Sequence, residues 1–542
     1  MRQLGGSELT LTKLVDPPSS ASLSISQESF DSYKREVATD SQRSVPFDDL
    51  EGLPCSSKPK HSFPTGGFNE EDLKNIVMSR RNKSAPGLNM IPYTVYKNCT
   101  TIRRFLFLII NTCYNTKYVP LQWRAAREVY IPKTAEPDPN NFKDFRALAL
   151  GNVEGKIFFS LVSRRIFKHV VTKNGNVDKS IQKGCMEATP GCWEPMSMVW
   201  AALKESRVHK KSCATIWLDI ANAYGSIPHE LIFLALKRYG VSDHCITLIR
   251  NYYSGLWTKC FTDNCFSSWT CHERGIFAGC TLSIILFLCG MNIIIEYTLQ
   301  ADARNFITSA NVALPLARAF MDDLALMTEN VPDAQKVLER CTKALSWARM
   351  KFRPDKSRSI VLHKGKSMNV SPFSADPTAS AATFIPSIHK NPVKFLGRII
   401  DGSLEDFKRT DELSTKLTDG LILIDKSKHN GPAKLWILHH LLMPRIRWPH
   451  LIYEIPMTKV VALEMKISTY IRKWLGLHRS ITNRSFYSST SPCPLPLASL
   501  TSILKAQKVS GHLQLRDSTD PPISSSVPEG RKLRCRGRCE GR

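Results

Sequence analysis

The chain has 542 residues, 42% hydrophobic and 23% charged, which excludes a wholly disordered scaffold and allows a large core with several subdomains. Lys and Arg number 74 against 48 Asp and Glu, a formal net charge of +26. A polyanionic partner is therefore expected, because basic surface gains affinity by releasing counterions from phosphate backbones, although ribosomal, histone-like and membrane-surface proteins share the bias.

Residues 1–66 open the chain with Ser- and Pro-rich stretches such as Pro17-Pro-Ser-Ser-Ala-Ser-Leu-Ser24, show no sustained helical or strand period, and predict a disordered arm. No basic-then-apolar secretory segment opens the chain, so an intracellular protein, nuclear or cytoplasmic and not secreted, is expected. Sixteen cysteines scattered through apolar runs read as free core thiols.

Ala214 to Ile220 reads as a strand: Ile216, Leu218 and Ile220 alternate with Thr215, Trp217 and Asp219, giving one apolar face and an acidic residue on the other face near the end. A tight turn through Tyr224 follows, then a helix from Ser226 with Pro228 in its first turn and Gly240 as its stop. Cys260, Cys265, Cys271 and His272 cluster without the spacing of a zinc site. Ile276 to Ile295 carries no charge and is long enough to span a membrane. Gly279, Thr281, Ser283, Gly290 and Asn292 interrupt it, so a buried helix is the better reading and no membrane partner is expected.

Ala317 to Met327 reads as a β-hairpin with Asp322 and Asp323 side by side at its centre. Asp is common in solvated turns, yet two adjacent carboxylates among apolar neighbours repel each other unless a cation neutralises them. Beyond Gly397 the apolar residues fall at helical spacing, with Leu413, Leu417, Leu421 and Ile424 in one segment and Leu463, Ile467, Tyr470, Ile471 and Trp474 in another. Lys466, Arg472, Lys473, His478 and Arg479 predict a basic face beside the second, and Arg531 to Cys539 a basic tail.

Strand, aspartate, aromatic turn and helix, followed by a paired-aspartate hairpin, resemble the polymerase palm of reverse transcriptases, most closely those of non-LTR (LINE-type) retrotransposons. Asp219, Ala223 and Tyr224 fit the family's first catalytic motif, and the resemblance runs in order from about Ser84 to Gly397. Ser84-Ala-Pro-Gly-Leu-Asn89 is similar to the entry motif, with Asn89 where Asp is usual. Ile131-Pro-Lys133 and Asp144-Phe-Arg146 are similar to the fingers segment. Arg274 to Phe287 is similar to the second palm motif, with Ala278 for the usual Gln and Ile284 for the usual Pro. Lys356 precedes the strand-like Ser359–Leu362 as in the motif whose lysine protonates pyrophosphate, and Val393 to Gly397 is similar to the primer-gripping hairpin.

The resemblance implies an α+β right-hand polymerase with an antiparallel palm sheet: fingers over 67–198, palm over 199–400, helical thumb over 401–480, and a partly disordered basic segment over 481–542. It implies RNA-directed DNA polymerisation on an RNA template and DNA primer with dNTPs, and two magnesium ions, manganese being the alternative, held by Asp219, Asp322 and Asp323. Lys133 and Arg146 would clamp the anionic triphosphate. Gly279 would let nucleotide or nucleic-acid backbone approach closely, Tyr224 would exclude a 2′-hydroxyl, and Lys356 would serve as general acid. No endonuclease segment is visible, so the chain reads as a truncated copy or isolated reverse-transcriptase segment. Two alternatives stay open: an inactive remnant that binds nucleic acid, and a telomerase-like or maturase-like polymerase. Oligomeric state and template choice are not readable.

Overall fold

A computed structural model of the chain describes residues 24–56, 58–133, 136–186, 191–262, 265–375, 383–487 and 497–525. Residues 1–23 of the expected arm and the basic tail around Arg531–Cys539 lie outside the described residues.

The strands in chain order are β1 (Ala125–Pro132), β2 (Phe145–Gly151), β3 (Cys213–Leu218), β4 (Trp257–Thr262), β5 (Cys265–Phe266), β6 (Thr270–Cys271), β7 (Ala317–Phe320), β8 (Asp323–Thr328), β9 (Arg358–His363), β10 (Lys366–Met368), β11 (Val393–Phe395) and β12 (Arg398–Ile400). In the first sheet β1 pairs antiparallel with β2 and parallel with β4, which also pairs with β5 and β6. This sheet crosses the boundary expected at residue 198, because Ala125 pairs with Trp257. Parallel partners need a long crossover, so no local pattern could announce that pairing.

The second sheet has the order β10-β9-β3-β8-β7 and is antiparallel throughout. The sequence assigns β3 a single apolar face, but every residue from Cys213 to Leu218 is buried. Ala214, Ile216 and Leu218 enter the main core with residues of the helix Val331–Trp347, whereas Cys213 and Trp217 enter a second core with Met198 and Leu203 of the helix Trp193–Val208. Helices cover both faces of the central strand.

The uncharged stretch becomes the helix Ser283–Thr298, buried at every position except Ile284 and Glu296. It is apolar on all sides because it is packed on all sides. Its one charge is satisfied, since Glu296 accepts from Arg238, Tyr239 and Asn292. No helix among the described residues is long and apolar enough to cross a membrane. The helix expected from Ser226 is split: a short turn at Ala223–Ser226 precedes the helix His229–Arg238, and Pro228 is the cap.

Disorder does not extend through residues 24–56. The helix Gln27–Ala38 starts where the Ser26 side chain accepts from the Ser29 amide, and it buries Phe30 against Phe145 and Cys260. Lys34 forms a buried ion pair at 2.8 Å with Glu128 of β1. Only Phe30, Lys34 and Ala38 of this helix are buried, too sparse a set to stand out from its polar sequence.

In the C-terminal region Leu413, Leu417, Leu421 and Ile424 of the helix Phe407–Lys426 join Leu463, Ile467 and Ile471 of the helix Met457–Leu475 in one core, as the spacing predicts. The expected basic face is partly consumed by structure. Lys473 pairs with Asp425 at 2.6 Å, and Arg472 donates to Ile481 and Asn483.

Candidate active site

β7 and β8 form a hairpin whose two-residue turn is Met321-Asp322, with Phe320 opposite Asp323. Such a turn requires a left-handed residue and usually takes glycine, but here Met321 adopts φ 60°. Gln182 holds it there. Its Oε1 accepts from the amides of Met321 and Gly184, both at 2.9 Å, and its Nε2 donates to the Met321 carbonyl at 3.3 Å. A Cβ on Gly184 would stand 2.5 Å from the Met321 nitrogen, so only glycine permits this contact. Gln182 is 1% exposed. Sequence reading misses this clamp, because a Gln and a Gly between two elements carry no periodic or motif signal.

Asp219 follows the last residue of β3, where Leu218 pairs with Leu324; one further step of that register brings Asp219 opposite Asp323. The Asp219 amide donates to Ser357 Oγ at 3.1 Å, and its carbonyl accepts from the Arg353 amide at 2.8 Å. The loop before β9 thus fixes the strand end and carries Lys356. Asp219, Asp323 and Lys356 line one cleft with Arg358, Lys394 and Phe395. The last two lie on β11 of the hairpin β11–β12, whose turn uses left-handed Leu396 and Gly397.

Electrostatics tie the three carboxylates together. Desolvation, reinforced by the charges of Asp322 and Asp219, pushes Asp323 up to about 6. Asp322 is raised by desolvation and by Asp219, with Arg146 opposing, and Asp219 is raised by desolvation, with Lys356 and Arg353 opposing. Lys133 is lowered by burial and by the cations Arg146 and Lys356. Arg146, on β2 of the first sheet opposite Ile131, acts on Asp322, whereas Lys133, just past β1, donates its ammonium to the Lys143 carbonyl at 2.9 Å and its amide to the Asp144 carbonyl at 2.8 Å.

The expected three-carboxylate metal cage is not preformed: among the described residues no group of three His, Cys, Asp or Glu could hold a metal ion by itself. The donor chemistry still fits a hard cation that brings part of its own shell, since magnesium is commonly bound by one or two carboxylates plus phosphate oxygens and water. Asp219 and Asp323 in one cleft, with Asp322 at the adjoining turn adding its charge to that of Asp219 on Asp323, are a set that a cation stabilises.

Two other site residues take roles the sequence did not foresee. Gly279 has φ 114°, and a Cβ there would meet the Ala149 carbonyl oxygen at 2.6 Å. The close approach that demands glycine is to the chain's own β2, reinforced by the Ala149 amide donating to Ala278 at 2.8 Å. Asn89 donates to the Glu154 carboxylate at 3.0 and 3.2 Å, a position where the usual Asp would add a like charge. Tyr224 is half-buried and stacks on Phe287 with ring centroids 4.4 Å apart, within the field of Asp322, which helps burial raise its phenol.

A strand-end aspartate beside an aspartate-tipped hairpin, with Arg146 of the first sheet acting on the hairpin turn, is the arrangement of a polymerase-type domain. Residues 131–400 match the family model described as reverse transcriptase (RNA-dependent DNA polymerase). Residues 131–400 thus form a reverse transcriptase domain, and the chain is similar to the Pol polyproteins of non-LTR retrotransposons. It is 24% identical over 476 residues to the Retrovirus-related Pol polyprotein from type-2 retrotransposable element R2DM of Drosophila melanogaster, covering 86% of this chain and 43% of that protein. It is 24% identical over 333 residues to the Pol polyprotein from type-1 retrotransposable element R2 of Nasonia vitripennis, covering 61% and 31%. To the RNA-directed DNA polymerase from mobile element jockey of Drosophila melanogaster it is 26% identical over 183 residues, covering 33% and 19%. The chain thus spans less than half the length of these curated relatives.

Proposed function

We propose that this chain copies RNA into DNA by nucleotidyl transfer from a dNTP to a primer 3′-hydroxyl, in a right-hand arrangement. The second sheet would be the palm, the first sheet and its helices the fingers, and the helices from residue 401 to about 480 the thumb. The observation that carries this reading is the shared cleft of Asp219, Asp323 and Lys356, with Asp322 at the adjoining turn and Arg146 acting on it.

Asp219 and Asp322, with Asp323 assisting, would hold two divalent ions, most naturally magnesium. Such ions would lower the cost of deprotonating the primer hydroxyl and neutralise the leaving pyrophosphate. Lys133 and Arg146 would bind the triphosphate oxygens, and Arg146 also offsets the charge of Asp322. Lys356, in the cleft with Asp219 and Asp323, can deliver a proton to the leaving pyrophosphate. Tyr224, held flat against Phe287, would close the space beside the sugar. Phe395 and Lys394 of the β11–β12 hairpin, on the cleft wall, suit the primer end.

Primer extension on an RNA template with magnesium tests the reading, comparing the parent with Asp322→Ala. Extension by the parent, falling by about a hundredfold or more in the variant, is expected. A second reading, a nucleic-acid-binding remnant, is favoured by Ala278 in place of the usual Gln. Template binding without extension by the parent would select it.

A further inference from the structure

A buried charge network beneath the hairpin has no part in the chemistry above. Arg318 on β7, 1% exposed, donates to Asp520 at 2.6 and 3.3 Å. Lys183, next to Gln182 in the clamp, is bonded to the same Asp520 at 2.9 Å and to Glu194 at 2.8 Å. Ser518 donates to Glu194 at 2.7 Å and accepts from the Asp520 amide at 3.3 Å. All four charged side chains are almost wholly excluded from solvent.

The connectivity gives this network its meaning. Asp520 lies just past the helix Leu500–Arg516, which contributes Leu500 and Leu504 to the core of the C-terminal helices. Ile523 then enters the core on one side of the second sheet with Trp217, Ala325 and Met327. The segment that leaves the C-terminal helices therefore returns to the underside of the hairpin. Both elements that Asp520 holds bear on the turn. Arg318 is three residues before Met321, and the segment of Lys183 is bonded to β7 through Lys183 N–H to the Ala319 carbonyl and Ala319 N–H to the Ile181 carbonyl, each at 2.9 Å. With Asp520 neutral, two buried cations would share the single charge of Glu194, and repulsion would push the clamp from the strand it braces.

We infer that Asp520 is a positioning residue for the Met321-Asp322 turn, so that the segment after the C-terminal helices is part of the active site's support. The inference rests on the proposed catalytic role of Asp322, but its structural half can be read without activity. Full-length Asp520→Asn is compared with the parent by hydrogen exchange across residues 317–328 and by single-turnover extension at saturating primer–template. Expected are exchange about tenfold faster or more in that segment, single-turnover extension slower by about tenfold or more, and primer–template affinity within about threefold.

Parent-like exchange in a folded variant overturns the inference, and so does a rate that recovers fully at saturation, since the loss is then one of binding. If Asp520→Asn does not fold, Ser518→Ala removes two supporting hydrogen bonds without stranding a charge. It must shift exchange over 317–328 in the same direction, and no shift overturns the inference. A parent that exchanges as expected yet extends no primer would sink the polymerase reading and leave the brace standing.

Discussion

Asp323 is raised to about 6 by desolvation and by its two acidic neighbours. Between the ordinary carboxylate range and about pH 6 the folded chain binds a proton that the unfolded chain has released. Stability from this group is therefore present at low pH and lost as pH rises through about 6. Asp323→Asn should raise the thermal midpoint at pH 7.5 by about 1–3 °C, and the gain should shrink toward pH 4. Added magnesium should stabilise the parent more than the variant. A pH-independent difference in scanning calorimetry would show that the cost of ionising Asp323, from desolvation and its two acidic neighbours, is not the cause. Tyr224 makes a second test at this scale. Its ring is braced by Phe287, so Tyr224→Val should open the sugar-side space and increase ribonucleotide incorporation. Equal dNTP and rNTP discrimination in parent and variant would remove the gate.

The hairpin that presents Asp322 depends on an element with no catalytic group of its own, the stretch from Ile181 to Gly184. Gln182→Ala would leave the Met321 amide without its acceptor at a left-handed residue, an unsatisfied buried donor costing about 1–3 kcal/mol. Extension should fall while the thermal midpoint drops only modestly; a stability loss with an unchanged single-turnover rate would make Gln182 a fold residue alone. Such contacts mark the limit of legibility. Asp219, Asp322 and Asp323 can be read from sequence because charge at strand ends and turns among apolar neighbours is conspicuous, and the helices around Leu413 and Leu463 can be read because their spacing is periodic. Gln182 with Met321, Lys34 with Glu128, and Asp520 with Arg318 join residues far apart in the chain, and Gln182, Lys34 and Asp520 look in their local sequence like ordinary solvent-facing side chains. Gly279 was legible as a glycine position, but its partner, the Ala149 carbonyl, was not.

At the scale of the molecule, the net charge of +26 has two opposed consequences at the proposed site. In the proposed function basic surface would draw a primer–template duplex in, whereas the carboxylates of Asp219, Asp322 and Asp323 would repel its phosphates until cations neutralise them. Part of the basic complement is already spent inside the fold, as with Lys34, Lys183 and Arg318; the rest would supply counterion-releasing contacts. If six to ten phosphates are engaged, affinity should fall by about a thousandfold or more between 50 and 200 mM salt. Asp322→Ala removes one repelling charge and none of the basic surface. Without divalent cation it should therefore bind primer–template at least as tightly as the parent, with the same salt slope, while losing extension when magnesium is added. Fluorescence anisotropy across a salt series, run beside extension assays, separates these terms. Weaker binding by Asp322→Ala in the absence of metal would mean that the carboxylate holds the duplex directly, and the division between a basic binding surface and an acidic reaction centre would fail.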